Sequence, residues 1–171
     1  MIGTLRQGAY LLCEKVLTWV VVPQLRVRLL RLLGARIGRD VRIYEVRFVN
    51  LAEGFTNLVI GDRVHIGPGT MIDLLDRVDI GSGSVISPRC ILHSHTDAGS
   101  QYGSPMTEFV PTVRAPVVIG RDCYLGAGSI VLAGVRLGDL TAVAAGAVVI
   151  RSTDGHELVG GVPARRLKLL A

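Results

Sequence analysis

The chain has 171 residues, 49% of them hydrophobic and 19% charged, which suffices for one domain with a sizeable core and is too apolar for disorder. Glycine supplies 21 residues without the strict third-position repeat of collagen, and the three cysteines, Cys13, Cys90 and Cys123, form neither a disulfide framework nor a CxxC pair. Charge is uneven within a net +5: residues 1–39 carry seven basic side chains and one acid, residues 40–164 nine and thirteen, and residues 165–171 three and none, with no helix-turn-helix, zinc or RNP pattern to suggest a nucleic-acid partner.

The first segment, residues 1–33, reads as helical from residue 4 onward. Pro23 suits a first helical position, and Leu25, Leu29, Leu32 and Leu33 share a face opposite Arg28 and Arg31. Two roles stay open: a cap on the end of the domain that follows, or an interfacial helix pair resting on an anionic membrane, and Trp19 suits either. The uncharged run from Val16 to Leu25 is half of what a bilayer needs, and Glu14 and Lys15 interrupt any signal-peptide core. A cytoplasmic protein is expected, with the inner face of the membrane as an option.

From Ile37 a six-residue period takes over. Hexads begin at Ile37, Ile43, Ile60, Ile66, Ile72, Ile80, Ile86, Leu92, Ile119, Leu125, Val131, Leu137, Val143 and Val149, and half of them carry glycine next. The fifth position is usually small or β-branched (Val41, Val64, Thr70, Ser84, Cys90, Thr96, Cys123, Ser129, Val135, Thr141, Ala147). No helix has that period. Short strands joined by sharp turns do, with the aliphatic side chains pointing inward, glycine accommodating unusual turn dihedrals, and three hexads closing one triangular coil. Cys90 and Cys123 then read as small core residues with neither a base nor access.

The phase is lost over residues 44–59 and again from Thr96 to Pro116, an excursion long enough to suggest function. At the mouth of the second interruption stands LHSHTD. His95 is the stronger candidate for a general base and His93 could share its face; His65 and His156 have no evident partner.

This repeat resembles the hexapeptide-repeat family over residues 34–168, which implies an all-β fold: a left-handed parallel β-helix with an N-terminal helical cap and a loop at 96–116. LHSHTD, APVVIGRDCYLGAGSIV and VGGVPARRLK, in that order, are similar to the CoA-dependent O-acetyltransferases of sugars, including the maltose, galactoside and nodulation-factor types, and most of all to the polysaccharide-biosynthesis branch. The resemblance implies acetyl-CoA as donor substrate, a saccharide acceptor and a homotrimer with sites shared between neighbours.

Residue by residue, the resemblance puts the catalytic base on His95 and the oxyanion-binding backbone N–H on Ala127, with Gly126 before it. It puts the pantetheine arm beside Ala145 and the nucleotide phosphates near Arg151, Arg165 and Lys168. Tyr124 stands where the family usually has tryptophan, Ile150-Arg151 where it has Thr-Lys, and Asp73 and His93 are candidate acceptor contacts. Direct transfer without a covalent enzyme intermediate and without a metal is expected; the histidine spacing does not fit the three-histidine zinc site of γ-class carbonic anhydrases. A non-catalytic scaffold and an N-acyltransferase on a nucleotide sugar are the rival readings.

Overall fold

The computed structural model describes residues 2–170, with side chains from residue 8 to residue 170, so Met1 of the N-terminal segment lies outside the described residues. Three parallel sheets wrap around one aliphatic core. The first face stacks Arg36–Ile37, Leu58–Ile60, Val78–Ile80, Val117–Ile119 and Arg136–Leu137. The second stacks Arg42–Ile43, His65–Ile66, Val85–Ile86, Tyr124–Leu125, Thr141–Val143 and Glu157–Gly161. The third stacks Arg47–Val49, Met71–Asp73, Ile91–Leu92, Ile130–Val131 and Val148–Val149. The chain visits the faces in rotation, giving the parallel β-helix that the hexads predict.

In-register pairing turns the inward positions into ladders. Ile43, Ile66, Ile86, Leu125, Val143 and Val159 stack up the second face, and all are buried. The phase lost after residue 43 is recovered by Phe48, which pairs in register with Ile72 and fills the first coil of the third face. The small and β-branched fifth-position residues are buried except Thr96, which is exposed because the chain leaves the prism there, and Thr153 in the last hexad, which is half-buried; Arg47 and Asp76, where the fifth position is charged, are not buried. Burial raises the thiol pKa of both Cys90 and Cys123, in keeping with inert core positions.

Glycine takes up unusual turn dihedrals as expected at Gly69, Gly83, Gly128, Gly134 and Gly146, and has a second part as well. Left-handed dihedrals fall at the fourth hexad position, where Asp40, Arg63, Arg89, Asp122 and Leu140 adopt them as well as glycines. The second-position glycines are required instead by the next coil: a Cβ on Gly81 would lie 2.3 Å from the Gly120 carbonyl oxygen. Gly81→Ala is therefore expected to cost about 1–3 kcal/mol, read as a lowered thermal midpoint. Gly8→Ala, in a helix with nothing within 4 Å, should be neutral or stabilising.

Two helices cover the first coil: α1, Ile2–Thr18, and α2, Pro23–Leu32, which begins at the proline as expected. Their packing corrects the predicted face of α2. Arg26, Val27 and Leu30 are buried, whereas Leu25 and Leu32 are exposed. The reason is Arg26, whose Nε and Nη2 donate to the carbonyls of Leu17 (3.2 Å) and Val20 (2.5 Å) at and just beyond the end of α1, the first of which also accepts from the Val20 amide. At the other end, Ala164–Leu169 folds back antiparallel on Glu157–Gly161.

Candidate functional site

The corner between the third and first faces is enlarged in the second and third coils. From Ile72 to Ile80 the chain spends eight residues where six would do, and from Leu92 it leaves altogether for the excursion. Asp73 occupies this corner in the second coil; His93, Ser94 and His95 lie one coil above it.

Asp73 is completely buried and held from every side. Its Oδ1 accepts from Asn50 Nδ2 (3.0 Å) and the Leu75 amide (3.1 Å), and its Oδ2 accepts from the Ser94 amide (3.1 Å) and from His95 Nδ1 in a short contact. Burial alone would push this carboxyl up, but the hydrogen bonds from His95, Asn50 and Leu75, together with the charge of His95, hold it below the usual carboxylate range. An ionised carboxylate only accepts, so His95 Nδ1 is the donor in this pair, and in the neutral imidazole this tautomer leaves the lone pair on Nε2. His95 keeps 20% of its side-chain surface exposed. This is the arrangement of a general base oriented by a buried carboxylate.

His93 is placed beside it. Its Nδ1 lies 3.2 Å from the His95 carbonyl oxygen, to which it donates, and 3.7 Å from Asp73 Oδ2; the two rings are 6.0 Å apart. Donor atoms of Asp73, His93 and His95 all fall within 4.8 Å of one another, close enough to hold a cation. The hydrogen bonds that Asp73 already accepts account for the cluster without one. Of the other histidines, His65 is half-buried against the Tyr44 ring at 5.1 Å, and His156 is an exposed turn residue with φ 51°.

The excursion starts as an antiparallel pair, His95–Thr96 with Val113–Arg114, so His95 is fixed on a ladder rather than left on a loose loop. Asp97 accepts from the Ser100 amide (2.7 Å) and hydroxyl (2.9 Å) and from the Gly99 amide (2.9 Å), securing the first turn beyond. The tip exposes Tyr102, Met106 and Phe109.

Ala127 belongs to a different corner. It precedes Ile130–Val131 on the third face, whereas His93 follows Ile91–Leu92, the strand paired with it. The width of the face, about 16 Å at the rise of a strand, separates the two within one chain. At its own corner Ala127 is exposed, its N–H has no acceptor among the described residues, and its carbonyl accepts from the Gly146 amide at 2.9 Å. A Cβ on Gly126 would lie 2.5 Å from the Ala145 nitrogen, so Gly126, Ala127 and Ala145 form a column of small residues. Arg165 pairs with Gly160 one coil further up.

Arg151 and Arg165 line one cavity of about 260 Å³ at the C-terminal end, and Arg166 lines it with them. The resemblance gave no role to Arg166, one of the three basic residues of the tail, which also approaches Glu157 at 3.9 Å. Lys168 is not among the lining residues and pairs instead with Leu158. Tyr124 is half-exposed on the second face, away from the Asp73–His95 pair.

Comparison with known proteins gives a consistent picture. Residues 116–151 match the family model described as bacterial transferase hexapeptide (six repeats). WcaF of Escherichia coli (strain K12), named for acetyl transfer in colanic acid biosynthesis, is 33% identical over 147 residues, 84% of this chain and 74% of the relative. WbbJ of the same organism, named as an O-acetyl transferase of lipopolysaccharide biosynthesis, is 29% identical over 66% of this chain and 57% of its own length. A hexapeptide-repeat acetyltransferase of Vibrio cholerae O1 biovar eltor, solved with acetyl coenzyme A, shares the fold with a TM-score of 0.82 at 22% identity, covering 96% of this chain and 86% of that one.

Proposed function

Since the chain belongs to the family of hexapeptide-repeat acetyltransferases, we propose that it moves an acetyl group from acetyl-CoA to a hydroxyl of a saccharide in polysaccharide assembly, with His95 as general base. The observation that carries this reading is the Asp73–His95 pair at the enlarged corner, which engages Nδ1 and so leaves Nε2 as the nitrogen that can act as a base. The names of WcaF and WbbJ support the acceptor class.

In this mechanism His95 Nε2 removes the proton of the acceptor hydroxyl as its oxygen bonds to the thioester carbonyl carbon. Asp73 stabilises the imidazolium that forms and keeps the ring oriented. The Ala127 N–H donates to the oxyanion of the tetrahedral intermediate. As the carbon–sulfur bond breaks, the imidazolium returns its proton to the departing thiolate, so the protein ends unchanged.

A single chain holds His95 and Ala127 at different corners, and this favours a homotrimer in which one copy supplies the base and its neighbour the oxyanion donor. The exposed tip of the excursion, with Tyr102 and Phe109, then has a neighbour to cover it. The prism over residues 34–168, with its excursion at 96–116, is the transferase unit, and residues 1–33 are its cap. His93 lines the acceptor side of the corner; Tyr124 is the weaker candidate for that role.

The small-residue column at Gly126, Ala127 and Ala145 leaves room for the pantetheine arm, and Arg151 and Arg165 supply cations for the phosphates. Arg151→Ala and Arg165→Ala are each expected to raise the Kd for CoA about tenfold while leaving saturation by the acceptor unchanged, and Lys168→Ala to do less, as titration calorimetry would measure. The reading as a whole is tested by incubating the protein with acetyl-CoA and a panel of saccharides and following thiol release and product mass. An acetyl group that mild alkali removes identifies the ester. Transfer only to amino sugars would establish the N-acyl reading instead, and no transfer to any acceptor would leave a scaffold.

A further inference from the structure

We infer that the outward face of the two N-terminal helices is a docking surface for an anionic lipid bilayer. The face is built by the helical period: Leu12, Val16 and Trp19 recur along one side of α1 and just beyond it, and Leu25, Leu29 and Leu32 along one side of α2. Of these, Trp19 is 84% exposed and Leu32 83% exposed, fractions usual for lysine rather than for large apolar side chains. Between the helices runs a groove of about 370 Å³ lined only by apolar side chains and Cys13. Patches of this kind on a protein surface mark an interaction site.

Charge selects the occupant. Arg28 and Lys15 are exposed; at three residues beyond Leu25 and Leu12 they border the two apolar stripes, so Arg28 is beside the exposed leucines and not opposite them as the sequence suggests. Arg31 is committed to the Ile37 and Gly38 carbonyls and Arg39 pairs with Asp62 at 3.6 Å, so neither is counted toward the surface. The acid on the helices, Glu14, is buried; Asp40 shares a hollow with Arg28 and Arg31, and Glu45 one with Lys15, on the coil side of those cations, and neither acid lines the apolar groove. An apolar floor bordered by Arg28 and Lys15, with a tryptophan at the helix junction, complements a negatively charged membrane interface. No helix among the described residues is long and apolar enough to cross a membrane, so the contact is peripheral.

The inference does not depend on acetyl transfer, and its test reads binding rather than activity. Trp19 is the one tryptophan in the chain and reports on its own surface. On addition of phosphatidylglycerol vesicles to the full chain, its emission should shift to the blue and the protein should sediment with the lipid, at least about tenfold more strongly than with phosphatidylcholine alone, and added salt should weaken the binding. Arg28→Gln should lower affinity about fivefold. Leu25→Glu with Leu32→Glu, both at exposed positions that leave the core intact, should abolish binding with the thermal midpoint unchanged. Absence of binding at low salt would overturn the inference, as would binding that the double variant retains. Self-association that light scattering detects in the parent and not in the double variant would assign the face to a second copy instead.

Discussion

Replacing His95 with alanine is expected to lower kcat by about two to four orders of magnitude, the range associated with loss of a positioned base, while the Kd for acetyl-CoA stays within about twofold of the parent. The asymmetry follows from placement. His95 lies at the corner between the third and first faces, whereas the basic residues assigned to the coenzyme lie at the C-terminal end of the prism. Single-turnover measurement with saturating acetyl-CoA separates the two quantities. A rate near that of the parent would remove His95 from the chemistry and turn attention to His93, whose Nδ1 is likewise engaged, in its case by the His95 carbonyl. His93→Ala is the necessary companion, and a smaller loss is expected for it because no carboxylate lies within hydrogen-bonding distance of its ring.

Asp73→Asn should lower kcat by about two to four orders of magnitude while preserving shape, since the amide fits where the carboxylate was. An amide places an N–H where Oδ1 or Oδ2 accepted one. It must therefore either abandon Asn50, Leu75 or Ser94 or drive His95 into the opposite tautomer, with its Nε2 protonated and unable to act as a base. The same substitution changes acid stability. The folded carboxyl titrates below its unfolded value of about 3.9, so its contribution to stability is complete above that pH and is lost as pH falls through the folded pKa. The parent should thus be more stable than Asp73→Asn at neutral pH, and the gap should narrow below about pH 4, as denaturant titrations at both pH values would show. A gap of constant size would mean that the carboxylate is not the group that titrates.

The prism was readable because its period is six and its inward residues are aliphatic: Ile66, Ile86 and Leu125 declare one ladder before any coordinate is known. Other features depended on what stacking brings together. Asn50 lies in a segment without phase and Asp73 more than twenty residues from His95, yet coil stacking makes them hydrogen-bonded neighbours. The missing signal was the eight-residue step from Ile72 to Ile80, which marks an enlarged corner. On α2, Leu25–Leu29–Leu32 and Val27–Leu30 are both apolar at helical spacing, and periodicity alone cannot rank them; the reach of Arg26 back to α1 decides. At the C-terminus a regular strand would present Arg166 and Lys168 alike. A register shift at Leu158/Val159 separates them, and no pattern of residue types foretells a bulge.

Stacking of like upon like has no natural stopping point, since each coil offers the next the same unpaired amides and carbonyls that it received. Left bare, the two ends of such a column would invite other columns to join and grow into filaments. Here α1 and α2 cover one terminus, and at the other the returning strand Ala164–Leu169 offers an outermost row studded with Arg165, Arg166 and Lys168. Like charges meeting across that row oppose end-to-end growth, so the same short tail that supplies cations to the cavity also keeps the molecule finite.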